Sequence, residues 1–128
     1  MIRVLVLEDN LKALKIITEI FGELEAEFGE TGLTIFSEGN LAEKFLENFD
    51  VNKFDLILLD YFSSDDKNFH QVVFSQVDPK KVIAISSLSS RNLEAQEKGV
   101  SRSVEKNYAD LIDFKKQLKK EIKAILNY

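Results

Sequence analysis

The sequence predicts an α/β protein built on a doubly wound, five-stranded parallel sheet with helices on both faces. Mainly apolar runs of strand length, without regular polar alternation, occur at residues 2–7 and 54–60, which is typical of strands that are covered on both faces. Strand-like runs then alternate with helix-like segments in five βα repeats, and this order implies parallel strands joined by right-handed crossovers. A length of 128 residues is common for one domain, so residues 1–128 are predicted to form a single domain.

The first βα unit begins with a strand at residues 2–7. Asn10 is a suitable N-cap for the helix that follows. Apolar residues recur in that helix at steps of three and four, as expected for a helix with one buried face: Leu14, Ile17, Phe21, Leu24 and Phe28. Gly29 and Gly32 are predicted to end the helix and turn the chain into a second strand at residues 33–36.

The middle of the chain contains a second helix and the most apolar strand. Asn40 is predicted to cap this helix, which ends near residues 50–53. Its apolar face is predicted to contain Leu41, Phe45, Leu46 and Phe49. The strand at 54–60 follows, and a polar turn then leads to a short third helix that Pro79 is predicted to stop.

The last third of the chain completes the alternation. A fourth strand at residues 82–85 runs into Ser86, and Gly99 is predicted to end a brief fourth helix. Residues 100–104 form the weakest predicted strand. A final amphipathic helix is predicted from about residue 109 to 127, with an apolar face made by Leu111, Phe114, Leu118, Ile122 and Ile125.

Composition and charge exclude several classes of function. With 17 basic and 22 acidic residues the formal charge is −5, which argues against direct nucleic-acid binding or a general affinity for anionic membranes. The absence of cysteine excludes disulfides and thiolate metal sites. The apolar runs are strand-sized and the N-terminus lacks a signal-peptide pattern. We therefore expect no membrane insertion and a cytoplasmic location.

Three carboxylates follow two of the predicted strands. Glu8 and Asp9 come directly after the first strand, and Asp60 ends the third. Because open α/β sheets place their sites at the carboxyl ends of the strands, these side chains are expected to converge. Like charges at that distance repel unless a cation or a proton lies among them. Oxygen ligands of this kind suit Mg²⁺, so the sequence predicts a magnesium site.

A hydroxyl and an ammonium group join the acids at the same edge. Ser86 follows the fourth strand and Lys106 follows the fifth. A carboxylate beside a divalent ion, with a fixed ammonium opposite, can attack a phosphoryl group and hold it as an acyl phosphate. Lys106 and the metal would neutralise the transferring oxygens, and the Ser86 hydroxyl would donate a hydrogen bond to one of them.

These pieces resemble a response-regulator receiver domain of the CheY-like type, over essentially the whole chain. The matching segments are Val6-Leu7-Glu8-Asp9-Asn10, Leu58-Leu59-Asp60, Ile85-Ser86-Ser87, and Gly99-Val100 with Lys106 shortly after. Their order and their placement at successive strand ends carry the resemblance, since each segment alone is unspecific. The resemblance implies a flavodoxin-like fold.

The resemblance also implies roles for individual residues and partners. Asp60 corresponds to the phosphoacceptor, and Glu8 and Asp9 to the acidic pair that binds Mg²⁺ together with the backbone carbonyl of Phe62. Ser86 corresponds to the switch hydroxyl and Lys106 to the ammonium that contacts the phosphoryl group. A histidine kinase or phosphotransfer protein would supply that group, and a downstream protein would be the target. Such a protein is a switch that catalyses at most its own phosphotransfer and dephosphorylation.

Two positions and one loop depart from the family pattern and keep an alternative open. Ser103 replaces an aromatic residue three positions before the lysine, and Asn107 replaces the proline after it. The loop at 63–67 lacks the usual proline and glycine. The alternative is a binding module that keeps the receiver scaffold and signals without phosphorylation.

Overall fold

The computed structural model describes residues 1–60, 76–87, 99–100 and 102–127, which contain a five-stranded sheet and three α-helices. The strands are β1 (Ile2–Leu7), β2 (Thr31–Phe36), β3 (Leu56–Asp60), β4 (Val82–Ser86) and β5 (Arg102–Glu105). The helices are α1 (Leu11–Phe28), α2 (Gly39–Leu46) and the C-terminal α3 (Leu111–Leu126). All neighbouring strands are parallel, in the order β2-β1-β3-β4-β5. The predicted fold class is confirmed.

The sheet is covered on both faces, which explains why its central strands show no polar alternation. Successive side chains of a strand point to opposite faces. Val4 and Val6 of β1 accordingly join a core with α1 and α3, whereas Leu5 and Leu7 join a second core on the α2 side. Each strand residue from Leu56 to Asp60 is buried for the same reason. The chain order reverses at the β1–β3 junction, so a crevice is expected beyond the carboxyl ends of these two strands.

Helix α1 begins after an N-cap residue and ends at a glycine, both of which can be recognised in the sequence. The Asn10 side chain accepts hydrogen bonds from the backbone N–H groups of Lys12 and Ala13, which confirms the predicted N-cap. Gly29 ends the helix with a φ of 88°, a conformation that glycine adopts at little cost. The prediction that Gly32 also turns the chain was wrong. It lies in β2, paired with Arg3, because one residue with positive φ completes the turn.

Helix α2 differs from its prediction at both ends. The helix begins at Gly39 with Glu38 as its N-cap residue, so the assignment of Asn40 as cap was wrong. Gly39 and Ala42 are buried against the sheet, and these small residues rotate the buried face so that Leu41 is exposed. The helix ends at Leu46, earlier than predicted. Four phenylalanine rings, with neighbouring centroids 5.0–6.5 Å apart, then fill the space under it: Phe36, Phe45, Phe49 and Phe54.

Helix α3 packs beside α1 on the same face of the sheet. Phe114, Leu118 and Ile122 are buried there, as the apolar spacing predicted. The polar rims of the two helices form ion pairs: Lys115–Glu23 at 2.8 Å, Lys119–Glu23 at 3.3 Å and Lys123–Glu27 at 3.3 Å. Exposed pairs of this kind contribute at most about 1 kcal/mol each, so the apolar contacts dominate the packing.

The region between β3 and β5 is described only in part. The predicted third and fourth helices fall almost entirely on residues 61–75 and 88–98, outside the described residues. Pro79 opens a short 3₁₀ turn, Pro79–Lys81, which Asp78 caps directly before β4. Strand β5 is found at Arg102–Glu105, shifted from the predicted 100–104. Within the described part of the chain, every helix is too short or too polar to cross a bilayer.

Candidate functional site

The turn between β1 and α1 fixes the first acidic pair. The Glu8 backbone N–H donates to the Phe36 carbonyl at 3.0 Å, so Glu8 continues the pairing of β1 with β2. Its buried side chain accepts a hydrogen bond from the Asn10 backbone N–H at 3.1 Å, and Asn10 in turn caps α1. The neighbouring Asp9 is exposed. One acid therefore points into the protein and the next faces solvent.

Asp60 brings the third carboxylate to the same place. It is the last residue of β3, pairs in register with Ile85 of β4 and is only 3% exposed. Oxygen atoms of Glu8, Asp9 and Asp60 all lie within 4.8 Å of one another. The predicted convergence of the three acids is confirmed, while their roles stay predictions.

Lys106 places a cation between the two buried acids. Its backbone N–H donates to the Ser86 carbonyl at 2.8 Å, which holds it at the end of β5. Its ammonium Nζ lies 3.1 and 3.0 Å from Glu8 Oε1 and Oε2, and 3.2 Å from Asp60 Oδ2. Lys106 is 6% exposed. The sequence predicted the lysine at this edge, but not its two-oxygen contact with Glu8.

The balance of charge in this cluster is negative. Burial and, to a smaller extent, the charge of Glu8 raise the pKa of Asp60 to about 7, against the opposing effect of Lys106. Burial also raises the pKa of Glu8, again against the effect of Lys106. Burial alone would lower the pKa of Lys106, but Glu8 and Asp60 outweigh it, so that pKa is raised. One ammonium is shared by two buried carboxylates, and Asp9 adds a third negative charge at the rim.

The donor set fits a hard divalent cation. Mg²⁺ binds oxygen ligands, keeps several waters and takes few protein carboxylates, and the cluster offers three carboxylates with an excess of negative charge. Asp9, the exposed member, lines a cavity of about 310 Å³ with Asn10, Ser87, Lys106 and Tyr108, so water can complete a coordination shell. The predicted fourth ligand, the backbone carbonyl of Phe62, lies outside the described residues.

The remaining predicted positions lie on β4, on β5 and directly after β5. Ser86 is the last residue of β4, fully buried and paired with Glu105, and its carbonyl accepts from Lys106 as described. Ser103 is partly buried in β5, in register with Ala84. Asn107 follows Lys106, and its side chain accepts hydrogen bonds from the backbone of the next turn. Sequence reasoning missed Tyr108, whose place two residues after Lys106 was the available signal.

The fold of this chain is similar to that of solved response regulators. A cyanobacterial phytochrome response regulator, RcpA, superposes with a TM-score of 0.72 at 20% identity, covering 97% of this chain and 92% of its own. A two-component response regulator from Clostridium difficile has a TM-score of 0.71 at 16% identity, covering 99% of this chain and 97% of its own. A response regulator from Hahella chejuensis has a TM-score of 0.67 at 23% identity, covering 100% of this chain and 94% of its own.

The chain has the receiver-domain fold. This confirms the fold that the resemblance implied. No protein-family model and no curated protein matches the sequence, so the likeness is carried by the three-dimensional structure. The receiver fold covers nearly the whole chain, and it places Glu8, Asp60 and Lys106 at one end of the sheet.

Proposed function

We propose that the protein is a two-component receiver that accepts a phosphoryl group on Asp60, with Mg²⁺, and acts through protein–protein contacts. A histidine kinase or phosphotransfer protein is the proposed donor. One observation carries this proposal. A buried carboxylate ends the central strand, with an ammonium 3.2 Å away and two further carboxylates whose oxygens lie within 4.8 Å.

The proposed reaction needs these groups, Mg²⁺ and a phosphodonor. An oxygen of Asp60 donates an electron pair to phosphorus, the bond from phosphorus to the donor's leaving group breaks, and that electron pair departs with the leaving group. Lys106 offsets negative charge on the transferring oxygens, and Ser86 supplies a hydroxyl at the adjacent strand end. When bound, Mg²⁺ supplies further positive charge and favours the ionised form of the acids.

The solved structures of the same fold support this chemistry as a proposal. RcpA was solved in a phosphorylated form. The receiver domain of RstA from Klebsiella pneumoniae, with a TM-score of 0.69 at 18% identity, was solved in a beryllofluoride-activated form. We extend the proposal to one receiver domain spanning residues 1–128 that is a switch and not an enzyme for an external substrate.

A second candidate is a binding module that keeps the receiver fold and works without phosphorylation. Lys106 already bridges Glu8 and Asp60 in the structure, which gives a buried ion-paired network that needs no phosphoryl group to form. The positions of Ser103 and Asn107 fit this alternative too. Such a module would bind its partner equally well with Asp60→Asn and without Mg²⁺. A tenfold change in affinity, about 1.4 kcal/mol, would count against it.

Intact mass spectrometry distinguishes the two candidates. The protein is incubated with Mg²⁺ and acetyl phosphate, and the mass is compared with and without the metal. The receiver proposal expects a phosphate-sized gain that requires Mg²⁺ and disappears in Asp60→Asn. Asp55→Asn is a matched control, because Asp55 is an exposed carboxylate just before the same strand, at the end of β3 opposite to Asp60, where its Oδ2 accepts a hydrogen bond from the Arg3 N–H. Wild-type protein that gains no mass would refute the proposal.

A further inference from the structure

A hydrogen-bonded turn holds Tyr108 beside the acidic cluster. The Asn107 side-chain oxygen accepts from the backbone N–H groups of Ala109 and Asp110, at 3.1 and 3.2 Å. Asp110 then caps α3 by accepting from the Asp113 N–H at 3.0 Å. The backbone on both sides of Tyr108 is therefore fixed, from the end of β5 to the first turn of α3. The residue is 40% exposed, so its side chain borders solvent as well as the acidic cluster.

Tyr108 lines a cavity that borders the acidic cluster. This cavity, of about 310 Å³, is bordered by Tyr108, Asp9, Asn10, Ser87 and Lys106. One water occupies roughly 30 Å³ in the liquid, so the space holds a phosphoryl group with its hydration. Two of these residues, Asp9 and Lys106, belong to the proposed phosphoryl site. Tyr108 stands at the same opening, and no other role has been assigned to it.

The Tyr108 hydroxyl interacts with the charges of the site. Burial raises the pKa of the phenol, Lys106 lowers it, and the charges of Glu8 and Asp60 raise it, so that the net pKa is raised. Tyr108 in turn contributes to the raised pKa of Lys106. The phenol therefore stays protonated at neutral pH. Its oxygen can accept from the ammonium while its hydrogen remains available to donate.

We propose that Tyr108 binds the incoming phosphoryl group from the cavity side, as a neutral hydrogen-bond donor paired with Lys106. This deepens the proposed function and rests on it. Lys106 is occupied by two buried carboxylates, so a donor on the open side supplies a contact that the lysine alone cannot. A neutral hydroxyl suits this place, because it adds a donor without adding a further charge to compete for the carboxylates.

The substitution Tyr108→Phe tests the proposal because it removes the hydroxyl and keeps the ring. We expect the rate of phosphorylation by subsaturating acetyl phosphate to fall about three- to tenfold, the range for one lost neutral hydrogen bond. The apparent KM for acetyl phosphate should rise, and the affinity for beryllofluoride, measured by calorimetry with Mg²⁺, should fall by a similar factor. The affinity for Mg²⁺ alone and the melting temperature should not change.

Ile112→Ala is the control, because Ile112 is 84% exposed in the first turn of α3 and does not line the cavity. This variant should match the wild type in every measurement. If the wild type and Tyr108→Phe are phosphorylated at the same rate, the proposed role of Tyr108 is overturned while the proposed function stands. A wild type that takes no phosphate would overturn the proposed function, and this inference with it. If Tyr108→Phe also lowers the affinity for Mg²⁺ or the melting temperature when it lowers the phosphorylation rate, Tyr108 has a structural role and the inference is overturned.

Discussion

Asp60→Asn should stabilise the protein in the absence of Mg²⁺, and the gain should grow with pH. Burial and the charge of the neighbouring Glu8 raise the pKa of Asp60 from 3.8 to about 7. A carboxyl whose pKa is raised by folding binds its proton more tightly in the folded state. Its contribution therefore supports folding at low pH and is lost as the pH rises through the window from 3.8 to about 7. Asparagine has no charge to bury.

The magnitude follows from the width of that window. Roughly three pKa units, at about 1.4 kcal/mol each, give an upper bound of about 4 kcal/mol at pH 8. Part of this cost is already present at pH 5, where the unfolded carboxyl is mostly ionised. The advantage of the variant should therefore grow by about 2–3 kcal/mol between pH 5 and pH 8.

Urea denaturation of both proteins at pH 5 and pH 8, in EDTA, measures this difference. Comparing variant with wild type at each pH removes the contributions of the other titrating groups. Asp55→Asn controls for the loss of one negative charge from an exposed position. A variant whose advantage is the same at both values of pH, or which is less stable than the wild type at pH 8, would refute the electrostatic reasoning.

Three further predictions concern the metal, the lysine and the core. Mg²⁺ at 100 times its dissociation constant should stabilise the wild type by about 2.7 kcal/mol, and Asp9→Asn should reduce the rise in melting temperature. Lys106→Gln leaves two buried carboxylates without an ammonium and should cost about 3–5 kcal/mol at pH 8. The same variant should lose less stability at pH 5, because one of the carboxyls takes up a proton there. Equal losses of unfolding free energy in urea titrations at pH 5 and pH 8 would contradict this. Phe114→Ala should lower the free energy of unfolding by about 3–5 kcal/mol, whereas Ile112→Ala, at an exposed position, should change it by no more than about 0.5 kcal/mol. Similar unfolding midpoints for the two variants would contradict the burial of Phe114.

The strand ends could be predicted from the sequence because burial on both faces leaves a plain signal. A strand such as Leu56–Asp60 has no polar alternation, and the first acid marks the point where it reaches the site. Parallel strands then bring such acids together without any knowledge of side-chain conformation. This reasoning correctly placed Glu8, Asp9 and Asp60 within reach of one another.

Features that depend on packing could not be predicted in the same way. The buried face of α2 is set by how closely Gly39 and Ala42 approach the sheet, which a periodic pattern does not reveal. The contact of Lys106 with both oxygens of Glu8 depends on a buried side-chain conformation. Tyr108 was missed because its position follows from the Asn107 turn, and that turn replaces the proline expected there.

Chemical trapping of the acyl phosphate tests the central claim most directly. Wild-type protein treated with acetyl phosphate and Mg²⁺ is reduced with borohydride, which converts an aspartyl phosphate to homoserine, and is then digested and mapped by mass spectrometry. We predict homoserine at position 60, only when both reagents are present. Homoserine at another carboxylate, or unmodified Asp60 under these conditions, would contradict the assignment of Asp60 as the phosphoacceptor.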